Sequence, residues 1–112
     1  MRFWDRIKSL WRRLWRRNRI KGIVVVESMS DVPQSTGGRL YLVGSEKLKW
    51  LVLSCPCRCG DRIDANLMTT RNPHWNVTLR DNRISVHPSL WQPREKCGSH
   101  FWVRDGEIRW VG

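Results

Sequence analysis

A small β-rich, α+β domain led by a basic amphipathic helix is the fold this sequence predicts, and three observations predict it. Basic residues surround a helical stripe of apolar ones over the first 22 positions, short β-branched runs separated by turn residues follow, and four cysteines cluster at ligand-like spacings. A chain of 112 residues makes one domain, with a core small enough to gain from an added staple.

The helix comes first. Phe3, Ile7, Leu10 and Leu14 recur at helical spacing, Trp4, Trp11 and Trp15 flank them, and Arg2, Arg6, Arg12, Arg13, Arg16 and Arg17 fill the remaining surface. The pattern ends near Gly22, which divides the chain into a helix over 1–22 and a β-rich domain over 23–112. The net charge of +11 is concentrated in the first part, where nine basic residues face Asp5 alone, leaving +3 for the rest. The basicity therefore belongs to an appendage. Either its stripe packs on the domain, or Trp4, Trp11 and Trp15 with Arg12, Arg13, Arg16 and Arg17 anchor the chain to an anionic membrane surface or an acidic partner. Nucleic acid is a weaker alternative, because the folded part has no basic run of comparable density.

After Gly22 the pattern changes to period two. Strands are predicted over 23–26, 39–43, 50–53, 75–79, 83–86, 101–103 and 108–110, with breakers at Pro33 and at Gly37-Gly38. Asp81-Asn82 and Asp105-Gly106 read as two-residue hairpin turns, because these residue types tolerate the positive φ that such turns need. The N-terminus has no continuous apolar run of the kind an export signal needs, and no run reaches the roughly 20 residues that span a bilayer. The expected location is the reducing cytoplasm, with peripheral membrane association through the helix.

Three of the four cysteines fall within five residues, as Cys55-Pro56-Cys57-Arg58-Cys59. Neighbours that close do not easily pair with one another, so they read as metal ligands. Cys57-Arg58-Cys59-Gly60 has the parts of a zinc knuckle, and Cys97-Gly98-Ser99-His100 brings a thiolate and an imidazole to one side of a turn. The expected zinc ligands are Cys57, Cys59, Cys97 and His100, which fill a tetrahedral site and leave no open position. Cys55 is one ligand too many. Which of Cys55, Cys57 and Cys59 is left out stays open, with Cys55 favoured because it ends an apolar run before Pro56. Catalytic candidates are a nucleophile at Ser89 or Cys55 with His74, His87 or His100 as base. No Gly-x-Ser-x-Gly elbow surrounds Ser89, and no partner acid can be named.

Read in order, Gly38-Arg-Leu-Tyr41, Cys55-Pro-Cys-Arg-Cys-Gly60, Ile84-Ser-Val-His-Pro-Ser-Leu90, Cys97-Gly-Ser-His-Phe-Trp102 and Ile108-Arg-Trp110 resemble one small bacterial family filed as a domain of unknown function. Its pattern runs G-x-L-Y, C-P-C-G-C-G, S-L-x-P-S-I, C-x-S-H-Y/F-W-I and V-x-W, and the likeness covers residues 23–112. Members are often encoded beside bacterial ubiquitin-like proteins and their activating and conjugating enzymes. The resemblance thus implies a role in ubiquitin-like protein modification, with that protein or its conjugation enzymes as partner. Carried over, the family's metal positions fall on Cys57, Cys59, Cys97 and His100, with Cys55 and Ser89 as further shared positions. The chain departs at Arg58, where the pattern has glycine, and at Leu90-Trp91-Gln92, where it has Ile-Gly-Asn. The leading expectation is a metal-stapled binding module of such a system. A deconjugating peptidase with a Cys or Ser nucleophile is the first alternative, and a nucleic-acid-binding zinc module the second.

Overall fold

The computed structural model describes residues 19–111. They form eight strands in two four-stranded sheets. Sheet one holds β1 (Gly22–Val26), β2 (Arg39–Val43), β3 (Trp50–Ser54) and β4 (Arg62–Asn66) in sequence order. Sheet two holds β5 (Asn76–Arg80), β6 (Arg83–Trp91), β7 (His100–Arg104) and β8 (Glu107–Trp110), also in order. β1 runs parallel to β2, and all other pairs are antiparallel.

Period-two patterning assembles the core. Leu40, Leu42, Leu51, Leu53, Ile63 and Ala65 turn inward from sheet one and meet Ile84, Val86, Leu90, Phe101, Val103 and Ile108 from sheet two in one buried cluster. β2 is apolar on both faces because its other side is also covered. Tyr41, Val43 and Val52 pack there against Val32 and Met29 of the crossover that a parallel β1–β2 pair requires. Within that crossover Met29–Asp31 forms a single 3-10 turn, started by Ser28, whose side chain accepts from the Ser30 amide.

The fold class is corrected accordingly. The described residues contain no α-helix, so the domain is all-β rather than α+β. The predicted basic amphipathic helix fails where it can be compared: Arg19 bridges Glu107, the Ile20 amide donates to the Gly106 carbonyl at 2.8 Å, and Gly22 opens β1. Backbone groups that a helix would satisfy internally are used here between strands. The rest of that helix, with Trp4, Trp11, Trp15, Arg12, Arg13, Arg16 and Arg17, lies outside the described residues. No helix among the described residues is long and apolar enough to cross a membrane.

Each predicted strand has its counterpart, and both predicted hairpin turns form. Asp81 and Asn82 have φ of 52° and 61°, and Asp105 and Gly106 have 49° and 77°, the positive values that two-residue turns between twisted strands need. β4 went unpredicted, because Ile63 and Ala65 are its only apolar residues and Arg62, Asp64 and Asn66 have low strand preference. Five-residue pairing with β3 holds it in place.

Candidate functional site: a serine–histidine pair beside four thiols

The loop between β6 and β7 carries chemistry on both flanks. On β6, Val86 pairs with Val103 and Leu90 with Phe101, so β6 spends four residues where β7 spends two. Such a bulge lets Val86 and Leu90 both stay in the core while re-aiming what lies between them. His87, Pro88 and Ser89 are the residues re-aimed. At the end of the bulge Trp91 pairs with His100, and His100, next to buried Phe101, takes the outer face of sheet two. Ser89 Oγ and His100 Nε2 meet there at 2.6 Å. Trp75 Nε1 donates to the Ser89 carbonyl at 3.1 Å and fixes the backbone beneath the hydroxyl. No acidic side chain among the described residues forms an ion pair with His100.

The other candidate bases are engaged elsewhere. The His87 ring packs on Trp102 at 5.7 Å between centroids, and the Arg104 guanidinium covers the same indole at 4.4 Å. His74 Nδ1 lies 3.0 Å from Asn72 Oδ1.

The second group is four thiols. Cys55 follows β3, Cys57 and Cys59 stand on the β3–β4 turn, and Cys97 comes from the β6–β7 loop. All four Sγ atoms lie within 4.8 Å of one another, with Cys55–Cys57 at 3.3 Å and Cys55–Cys97 at 3.7 Å. None is in a disulfide. An ideal tetrahedral site with metal–sulfur bonds of about 2.3 Å puts its sulfurs about 3.8 Å apart, so the four could hold a metal ion with small adjustments. The turn is built for this. The Cys55 amide donates to the Asp61 carbonyl and the Arg58 amide to the Cys55 carbonyl, while Arg58 and Gly60 adopt φ of 68° and 90°. Burial pushes the Cys55 thiol up to about 12. At Cys97 burial pushes upward too, but hydrogen bonding with the Ser99 side chain and backbone and with Cys59 and Cys57 outweighs it, bringing the thiol down to about 6.

The structure thus gathers Cys57, Cys59 and Cys97 as expected from the sequence, adds Cys55 to them, and sets His100 against Ser89. Sequence spacing does not separate these options, because Cys97 and His100 stand only three residues apart. The discriminating signal is strand register: once Trp91 is opposite His100, Ser89 is within reach of the imidazole. Trp75 and Ser99, which support the two groups, carry no sequence signal of their own.

The family model described as bacterial ubiquitination-like system serine protease (BubE) matches residues 25–111, a span that contains both groups. No curated protein and no solved structure gives a match.

Proposed function

Because the chain belongs to the BubE family of bacterial ubiquitination-like system serine proteases, we propose that it is a serine peptidase of such a system, with Ser89 as nucleophile and His100 as general base. The observation that carries this reading is the 2.6 Å contact between Ser89 Oγ and His100 Nε2, the reach a base needs to take a hydroxyl proton. With its own proton on Nδ1, His100 accepts the Ser89 proton at Nε2 as Oγ bonds to the scissile carbonyl carbon. The imidazolium then returns that proton to the leaving amine, and the C–N bond breaks to give an acyl-serine. Water, deprotonated by His100 in turn, releases the acid and restores the serine. The bond cut is one that joins the system's ubiquitin-like protein to whatever follows it. Cys55 is a poor nucleophile by comparison, since burial pushes its thiol up and its sulfur sits among the four that could hold a metal ion.

Zinc is the ion that four thiolates in tetrahedral array favour, and four protein ligands leave no position for substrate. Its part would be structural, with Cys55, Cys57, Cys59 and Cys97 holding it and so tying down the β6–β7 loop and the start of β7 at His100. Thiols kept for a metal suit a reducing cytoplasm. The binding-module reading accounts for the cysteines and leaves the serine–histidine contact without a purpose.

Two measurements test the peptidase. A fluorophosphonate should add to Ser89 and to no other serine, read by mass spectrometry. Ser89→Ala should lower cleavage of a ubiquitin-like protein fused to a reporter by about 10³-fold or more while keeping metal content unchanged. Undiminished cleavage by the alanine variant would overturn the assignment.

A further inference from the structure

Between the chain's entry into β1 and the cysteine-bearing turn lies a cavity of about 750 Å³, within the range of pockets that bind compact ligands. Four cations line it, Arg19, Lys21, Arg39 and Arg58, and among the described residues no carboxylate does. Its apolar wall includes Leu53 and Ile108, which belong to the main core. Ser89 and His100 do not border it.

We propose that this cavity docks an acidic segment of a partner protein, one in which glutamate or aspartate alternates with aliphatic residues. Charge supports it first. Of the four cations only Arg19 has an ion-pair partner among the described residues, Glu107 at 3.9 Å, and Glu107 also meets Arg109 at 3.6 Å. A concave site with cations of one sign over apolar walls focuses its field and draws an anion. The backbone at Arg58 supports it second. Its φ of 68° is one that glycine adopts freely and arginine only at a cost, and the residue placed there is a cation that lines the cavity. The walls then decide the class of anion. Single-stranded nucleic acid is held by aromatic platforms as well as charge, and among the described residues no aromatic ring lines this cavity. Residues 1–18, with seven basic residues against Asp5, share the sign of the cavity's cations and do not supply the complementary charge. An aliphatic and acidic peptide matches both the wall and the charge. The site stands independently of whether Ser89 cleaves anything.

The test uses the full-length, metal-loaded chain and a short fluorescein-labelled peptide alternating glutamate and leucine, followed by anisotropy. Saturable binding is expected, weakening with salt and falling at least about tenfold when glutamine replaces glutamate in the peptide, the factor that corresponds to about 1.4 kcal/mol. The Lys21→Glu/Arg39→Glu pair should weaken binding by the same factor or more. The milder Lys21→Gln/Arg39→Gln pair serves if charge reversal lowers metal content, the check on folding. Binding that both pairs leave unchanged would belong to the basic N-terminal segment and overturn the proposal. So would the lack of saturable binding, or an oligothymidylate that binds more tightly through Lys21 and Arg39.

Discussion

Arg58 holds a left-handed backbone between two thiols of the four-cysteine group, with φ of 68°. For a residue with a Cβ this region costs about 1–2 kcal/mol, part of which glycine returns as lost chain entropy in the folded state. Arg58→Gly should therefore stabilise the metal-loaded protein by about 1 kcal/mol, a rise in midpoint of roughly 4–8 °C for a domain of this size. The same variant should bind the acidic peptide less tightly. Calorimetry and anisotropy on one preparation check both, and a lower midpoint would show that the guanidinium contributes more to the fold than its backbone costs. Ser89 and His100 belong to the same scale. Their chemistry is written in two side chains, but their meeting depends on the bulge that lies between Val86 and Leu90.

The strands were legible from the sequence because burial on one face imposes period two, and Leu40, Leu42, Leu51 and Leu53 display it plainly. The hairpin turns were legible because Asp-Asn and Asp-Gly tolerate positive φ. What stayed hidden depends on partners distant in sequence. β4 has two apolar residues and exists through its pairing with β3. The amphipathic period at the N-terminus says nothing of the inter-strand bonds that Arg19 and Ile20 make. All four cysteines and His100 were legible as chemistry-bearing residues, but not that Cys55 joins the other three thiols while His100 meets Ser89, because β6–β7 register decides where His100 points. Asn66 is a further case. At the end of β4 its Nδ2 donates to the carbonyls of Met68, Arg71 and Pro73, and its Oδ1 accepts from the Met68 amide. Its own carbonyl accepts from the Trp75 amide, and Trp75 in turn holds the Ser89 carbonyl. Asn66→Ala strands several of these groups, and we expect a loss of about 1–3 kcal/mol in urea unfolding together with reduced peptidase turnover. Reduced stability with turnover intact would show that the loop does not position Ser89.

The four-thiol group joins the sheets. Cys55, Cys57 and Cys59 come from the end of sheet one, and Cys97 comes from the loop that links β6 to β7 in sheet two. Cys55 and Cys97 are 42 residues apart, and closing a loop of that length by a cross-link removes about 4 kcal/mol of unfolded-state entropy on the chain-entropy account. Chelation should accordingly lower the melting midpoint and the peptidase rate together, because the loop that carries Cys97 also carries His100 at its end. Ser89→Ala should lower only the rate. A chelated protein that keeps its rate at a temperature where it remains folded would separate the staple from the dyad.

The strap at residues 19–21 gives one more property. β8 is the last strand of sheet two, with half-exposed Trp110 at its end and exposed Val111 just after it, and such a border can recruit a strand from another molecule. Arg19 bridges Glu107, and Ile20 takes the Gly106 carbonyl at the mouth of the last hairpin. Lys21 donates to the Gly38 carbonyl beside sheet one. The strap thus covers the beginning of β8 from within the same chain, and a neighbour seeking to extend sheet two finds those backbone positions already taken. Self-association along that border is restrained by the residues that also line the cationic cavity.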